Sequence, residues 1–393
     1  MNSQRALRVM HTIAGLKSSA GGTSNSVTVT CSELARAGLE IDLVSQDFGE
    51  PEDLNVLPDV AAVRTRFATA NRLPFTNSVY SPGFRSLVAA TCRESKPDLV
   101  HDHGLWLPAN HAAASVCRDL RLPLIVSPHG MFGSNALGHE RLKKALAWRV
   151  FQRRDLMSAV AACVNSGLEA DDVRARGYDK PIAVIPHGVR LPSSRRHLAR
   201  GTGAKIALYL GRIHPLKGLL ALIQAWAAVR PDGWRLIMAG PDEKGYRRMV
   251  QEAIDREGRG GSIELVGAAF GESKARLYES ASLFIQPSLS ENFGMAIAEA
   301  LAQGVPVITT KGTPWSAIVQ EGCGWWVAST GPEIAAAIRE ASSLPDGELQ
   351  AMGLRGRIFV EKNFTWGKVV TMLVALYGWV LGEGPRPDFV VGT

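Results

Sequence analysis

Residues 283–309 read LFIQPSLSENFGMAIAEALAQGVPVIT, and this stretch decides the fold. Residues 283–286 form a short apolar run of strand length, and 305–309 form a second. Between them, the small apolar residues of 294–302 have the composition of a buried helix. A strand, a crossover helix and a strand make a unit whose strands lie parallel. Two glutamates mark it, Glu291 in the loop and Glu299 inside the helix. A helix starting near Gly294 leaves the N–H groups of Asn292 to Met295 without intrahelical partners, and its dipole favours an anionic ligand there. Glu299 then lies about 7–8 Å along the axis. The two acids would meet different parts of one elongated ligand, because carboxylates accept well from sugar hydroxyls. Glu299 also sits in an apolar run, where an unpartnered carboxylate is costly.

The same texture recurs along the chain. Strand patterns at 7–13, 41–45, 98–102, 124–127, 159–164 and 183–185 alternate with helical ones, the first over 23–37. Residues 191–204 (LPSSRRHLARGTGA) are polar and basic with Pro and Gly, and read as a linker. Beyond it, strands at 205–210, 234–239, 263–266, 283–286 and 305–309 alternate with helices. The expected fold is therefore α/β, with two Rossmann-like doubly wound domains over 1–190 and 205–365 facing a central cleft. Such sheets bind ligands beyond the carboxyl ends of their strands. A chain of 393 residues also exceeds one ordinary core.

Composition narrows the function. No apolar run reaches the ~18–20 residues a spanning helix needs, and the N-terminus lacks a signal-peptide core. A cytoplasmic location is expected. The five cysteines, Cys31, Cys92, Cys117, Cys163 and Cys323, are scattered without a CxxC pair, which points to reduced, buried thiols. A net charge of +7 favours anionic partners: nucleotides, phosphates or an anionic membrane face. Zinc-finger and RNP patterns are absent, so nucleic acid is not expected.

Several loops carry candidate chemistry. Residues 211–218, GRIHPLKG, follow a strand and open a helix. Gly211 would allow a sharp turn, and Arg212 with Lys217 suits a diphosphate. Gly21 and Gly22 link the first strand to the first helix and leave room for a phosphate. His129, in SPHG after the 124–127 strand, falls at a strand end. His101 and His103 flank Asp102 in a way that suggests a metal, but no third ligand is evident. A DxD triplet is also absent, which argues against a divalent-cation clamp on a sugar nucleotide.

Taken together these residues resemble glycosyltransferase family 4, retaining nucleotide-sugar enzymes of GT-B architecture. The E-x7-E element matches Glu291 and Glu299, and the G-R-x4-K-G element matches Gly211, Arg212, Lys217 and Gly218. The Gly-Gly loop matches Gly21 and Gly22, and the H-G element matches His129 and Gly130. The resemblance covers nearly the whole chain. It implies that Arg212 and Lys217 neutralise the donor diphosphate and that Glu299 accepts from the ribose. Glu291, Asn292 and the backbone of Phe293, Gly294 and Met295 would hold the donor sugar, with His129 beside it. The backbone around Val266 and Gly267 would read the base. Glu291, His129, Arg212 and Lys217 form the implied catalytic set, without metal or cofactor, and segment 366–393 would return as a helix to the N-terminal domain.

Two places depart from the family pattern. Pro186-His187-Gly188-Val189-Arg190 stands where Pro-Asn-Gly-Val-Asp is common, and Glu291-Asn292-Phe293-Gly294 stands where Glu-Gly-Phe-Gly is common. Phrases such as SPHGMF and ITTKGTPW resemble members that build bacterial exopolysaccharide, capsule or lipopolysaccharide. The implied partners are a UDP- or GDP-sugar and a glycan or polyprenyl-diphosphate-linked acceptor, at the cytoplasmic face of the inner membrane. Residues 138–156 are basic with Leu, Trp and Phe, and fit either an anionic-membrane contact or a partly buried helix. On an α-helical wheel their basic and apolar positions do not separate cleanly. The competing functions are a GT-B epimerase or phosphorylase, and a non-catalytic sugar-nucleotide binder. The last predicts decay of Arg212, Lys217, Glu291 and Glu299, and all four are present.

Overall fold

The computed structural model describes residues 5–17, 22–47, 56–72, 79–138, 140–192, 204–257 and 261–392. Most of the 191–204 linker, and Gly21, lie outside them. The chain forms two compact units, Met1–Gly188 with Trp366–Thr393, and Val189–Thr365.

In the first unit the strands are β1 (Arg8–Ile13), β2 (Glu40–Asp47), β3 (Arg64–Thr69), β4 (Asn71–Arg72), β5 (Val79–Tyr80), β6 (Leu99–His103), β7 (Leu124–Ser127), β8 (Ala161–Val164) and β9 (Ile182–Val184). In the second they are β10 (Lys205–Leu210), β11 (Trp234–Ala239), β12 (Ile263–Val266), β13 (Ala281–Gln286), β14 (Val307–Thr310) and β15 (Gly324–Val327). The last, β16 (Val390–Val391), returns to the first unit.

The first sheet runs β16-β9-β8-β7-β6-β1-β2-β3, and the second β12-β11-β10-β13-β14-β15. Every ladder in them is parallel except β16 against β9, which pairs Val390 with Ala183 antiparallel. The strand order reverses beside β1 in one sheet and β10 in the other, which is the doubly wound pattern.

Alternation of side chains explains the two-sided core. Met10, Val44, Val100 and Val126 enter one cluster of the first unit, while Val9, Leu43, Leu99 and Ile125 enter the other. The second cluster also takes Val369, Leu373, Leu376 and Tyr377 from the helix Trp366–Val380. That helix packs on the first unit as expected. Gly188 makes room for it, because a Cβ there would strike the Trp366 ring.

Parallel pairing sets the polar residues of β6. His11 lies opposite His101, Thr12 opposite Asp102, and Ile13 opposite His103. The three histidines therefore share one face. Asp102 points the other way, where Thr12 Oγ1 donates to it at 2.6 Å and Asn110 Nδ2 at 3.0 Å. All five cysteines are free and buried.

Candidate functional site

In the second unit, the loops after β10 and β13 dock on each other. After β10 the chain enters a short 3-10 turn, Pro215–Lys217, capped by His214, whose Nδ1 accepts from the Leu216 amide at 3.2 Å. Gly218 then takes left-handed backbone (φ 68°), and a Cβ on it would collide with the Pro287 carbonyl. The amide of Leu289 donates to Leu216 O at 2.8 Å. Gly211, expected to supply the sharp turn, is not left-handed. It is instead the residue that Gly240 approaches so closely that a Cβ on Gly240 would run into its carbonyl.

This docking brings Lys217 Nζ to 2.5 Å from Glu291 Oε1. Gln286 Nε2 and Ser288 Oγ donate to the same oxygen at 2.9 and 2.8 Å. The two charged side chains are only 12% and 13% exposed, so three donors offset the desolvation of one carboxylate oxygen. Nearby Tyr209 donates to Arg212 O at 2.7 Å. Its phenol is held well above the ordinary range by burial and then by the Glu291 charge.

Arg212 does not share an anion with Lys217. Its Nη1 lies 2.5 Å from Glu243 Oε2, half-exposed at the surface. Glu299 is not the unpartnered acid its apolar surroundings suggested. Lys274 Nζ lies 2.7 Å from Oε1, and the Tyr278 hydroxyl donates to Oε2 at 2.8 Å. Both partners come from the helix Gly271–Ser280, and burial raises the Tyr278 phenol.

The helix after the Glu291 loop is Met295–Ala302, one residue later than expected. Its N-cap is Gly294 at φ 86°, which has no side chain to offer the first amides. A Cβ at Gly294 would press on Ile297 and on the Trp315 indole. Phe293 turns inward against Trp315 and Phe364, and its carbonyl accepts from Trp315 Nε1 at 2.5 Å. The Val266 carbonyl already accepts from Arg247 Nη1 at 2.8 Å, and the Gly267 carbonyl from the Gly240 amide at 3.1 Å. Arg247 therefore props the segment expected to face the base.

In the first unit, Gly22 opens the helix Gly22–Arg36. His129 and Gly130 are both left-handed (φ 52° and 76°). Glu169 holds this turn, with Oε1 accepting from the Gly130 amide at 2.5 Å and Oε2 from the Asn165 amide at 2.8 Å. The HDH motif does have a third partner. His11, from β1, joins His101 and His103 with ring nitrogens within 4.8 Å of one another. Spacing along the chain could not reveal it, because β1 and β6 meet only through the sheet. Burial drives these rings toward the neutral form, His11 and His129 to about 3 and His187 to about 4.

Sequence reasoning missed Glu243, Lys274, Tyr278, Gln286, Ser288, Asn165 and Glu169. Only Glu169 had a local signal, since Ser166-x-x-Glu169 has the sequence signature of a helix N-terminus and Ser166 Oγ accepts from the Glu169 amide as its N-cap.

Comparison with known proteins identifies the family and the fold. The family described as Glycosyltransferase Family 4 matches residues 20–192, and Glycosyl transferases group 1 matches residues 192–357. The chain belongs to these glycosyltransferases and has their GT-B fold. A D-inositol 3-phosphate glycosyltransferase from Corynebacterium glutamicum is 28% identical, over 91% of each chain. Sucrose-phosphate synthase from Thermosynechococcus elongatus superposes with a TM-score of 0.75 at 22% identity, covering 96% of this chain and all of the other. Anabaena HepE in complex with UDP and glucose superposes with a TM-score of 0.71 at 17% identity, over 95% of this chain and all of HepE.

Proposed function

We propose that this glycosyltransferase takes its sugar from a nucleoside diphosphate, UDP or GDP, and transfers it with retention and without a metal. The observation that carries the reading is the Lys217–Glu291 pair with Gln286 and Ser288 around it. A diphosphate reaching Lys217 competes with Glu291 for the ammonium, which frees a preoriented carboxylate for donor-sugar hydroxyls. Arg212, resting on the surface acid Glu243, is the second cation for the departing diphosphate. Fixed cations stabilise developing negative charge without a metal. Glu299 accepts from the ribose while Lys274 and Tyr278 hold it in place. The UDP complex of HepE supports UDP first.

The acceptor we propose is a glycan or polyprenyl-diphosphate-linked glycan of a bacterial surface polysaccharide, at the cytoplasmic face of the inner membrane. Among the described residues no helix is long and apolar enough to cross a membrane. The basic segment offers a peripheral contact instead. It folds as helices Arg141–Ala147 and Arg153–Ser158 joined by a π-helical turn, Trp148–Gln152. The π turn breaks the 3.6-residue phase, which is why an α-helical wheel mixes the faces. Trp148 packs on Trp106 and Phe132, and Gln152 Oε1 accepts from the Trp106 amide at 2.6 Å. Leu142, Leu146 and Val150 are left 87%, 65% and 69% exposed, beside the exposed Arg141, Lys143 and Arg149. An apolar stripe with a basic flank suits an anionic bilayer surface.

The curated relatives favour a second acceptor, an inositol phosphate. Thermal shift against UDP, GDP, ADP and dTDP tests the donor. A ligand at a hundred times its Kd stabilises by about 2.7 kcal/mol, and no shift with any of the four would refute the reading. Transfer assays with inositol phosphate and with lipid-linked glycan then separate the two acceptors.

A further inference from the structure

The first unit carries an array of histidines whose hydrogen bonds run in only one direction. In one chain, Ser127 Oγ donates to the Cys163 carbonyl at 2.9 Å. A carbonyl can only accept, so the Ser127 proton is committed there. His101 Nε2, 2.9 Å from Ser127 Oγ, must then be the donor. Its Nδ1 keeps the lone pair and accepts from the Tyr377 hydroxyl at 2.8 Å.

The second chain is ended by Asn165. Its Nδ2 donates to the Ile185 carbonyl at 3.0 Å, which fixes the amide orientation. The same side chain is hydrogen-bonded to the His129 ring. His129 Nε2 lies 2.9 Å from His103 Nδ1, and His103 Nε2 lies 2.9 Å from His11 Nδ1. The far end sets the direction. His11 Nε2 is buried without a partner, and orphaned buried N–H groups are rare, so the proton of the neutral His11 ring sits on Nδ1 and donates to His103 Nε2. His103 Nδ1–H then donates to His129 Nε2, which leaves His129 Nδ1–H for the Asn165 side chain.

We propose that these two chains lock four rings into opposite tautomers, Nδ1–H at His11, His103 and His129 and Nε2–H at His101. His129 is thereby a positioning residue for the transfer reaction rather than its acid or base. Both of its ring nitrogens are occupied, one by His103 and one by Asn165. The ring serves as a neutral strut that keeps the left-handed His129-Gly130 turn in place. This role rests on the reading of His129 as a donor-sugar residue, but the tautomers do not.

The arrangement also argues against a metal on His11, His101 and His103. Of their six ring nitrogens, five are already hydrogen-bonded, and only His11 Nε2 remains. A cavity of about 30 Å³ bordered by His101, His103, His129, His187, Cys163 and Asn165 has room for one water. The titratable groups facing His129 are the stacked rings of His103 and His187, with Cys163 across the cavity and Tyr377 beyond His101.

The test is a two-bond proton–nitrogen correlation spectrum of the full chain labelled with ¹⁵N-histidine, at neutral pH. Rings are assigned by single His→Gln variants. The expected result is the Nδ1–H pattern for His11, His103 and His129, against Nε2–H for His101 as an internal contrast. Nε2–H at His103 or His129, or a doubly protonated ring, would overturn the proposal. Asn165→Leu removes the acceptor of His129 Nδ1–H and should shift that signal while His101 stays Nε2–H, and an unshifted His129 signal would again refute the array. Zn²⁺ added to wild type should leave the patterns intact, whereas metal-induced loss of the Nδ1–H signals would assign a metal site instead. The wild-type spectrum decides even where a variant fails to fold. A failed UDP shift with the expected tautomers would refute the donor reading alone.

Discussion

Removing Lys217 and Glu291 separately and together distinguishes their structural role from their chemical one. At 2.5 Å and an effective dielectric of about 20, the pair attracts by roughly 6–7 kcal/mol. Desolvation of two nearly buried ions takes back several kcal/mol, so the expected net coupling is about 2–3 kcal/mol. Lys217→Met leaves a buried carboxylate with two neutral donors, Gln286 and Ser288, and should destabilise the second unit by about 2–3 kcal/mol. Glu291→Leu strands the ammonium and should cost a similar amount. The loss in the double variant should be well below the sum of the two single losses, because neither charge is left alone. Turnover should behave differently: all three variants should lose at least a hundredfold in sugar transfer, about 2.7 kcal/mol of transition-state stabilisation. Stability is read from urea unfolding of the second unit, and turnover from release of the nucleoside diphosphate. Additivity within about 0.5 kcal/mol would refute the coupling. Wild-type turnover in either single variant would refute the site.

Other expectations follow from particular contacts. Transfer activity should survive EDTA, and a strict metal requirement would contradict fixed-cation catalysis. Gly188→Ala should destabilise the first unit by about 1–3 kcal/mol through overpacking against Trp366, and a neutral result in thermal unfolding would contradict that packing. Binding to anionic vesicles should fall with salt and with Leu142→Asp/Leu146→Asp, whereas salt-independent or unchanged binding would exclude the stripe as the contact. The buried histidines should make the first unit acid-sensitive. His11 ionises near 6.5 when unfolded but only near 3 when folded, so lowering the pH through 6.5 favours the unfolded state. At pH 5 this ring alone costs about 2 kcal/mol. His101 and His103 act in the same direction. Asp102 opposes them, because burial lifts it to about 7 and its stabilising effect is present at low pH and lost as pH rises through 7. Urea midpoints at pH 7 and pH 5 check the balance, and a stability that rises on acidification would refute it.

The alternation of apolar runs with helical segments was legible because periodicity is local, and the 283–309 stretch alone shows parallel strands. Its strand and helix appear as Ala281–Gln286 and Met295–Ala302. Of the four edges of the two large sheets only β12 was legible, at its observed bounds 263–266, and β3, β15 and β16 were not. β15 is only partly buried, and β16 comes from a tail with no pattern of its own. The π turn at Trp148–Gln152 also escaped a reading that assumed 3.6 residues per turn throughout.

What the sequence determined by itself was the type and order of most elements, and the placing of the charged residues Arg212, Lys217, Glu291 and Glu299 at motif spacing. What only the tertiary structure decided was which groups meet. Glu291 finds Lys217 across 74 residues, Glu299 finds Lys274 across 25, and His101 finds Tyr377 across 276. The physical reason is that strand order in a sheet brings distant loops together, and a hydrogen bond or ion pair depends on that distance alone. The direction of the histidine chains is the sharpest case. It is set by the Cys163 carbonyl in one chain and by the buried, unpartnered His11 Nε2 in the other, neither of which spacing along the chain connects to the rings it orients.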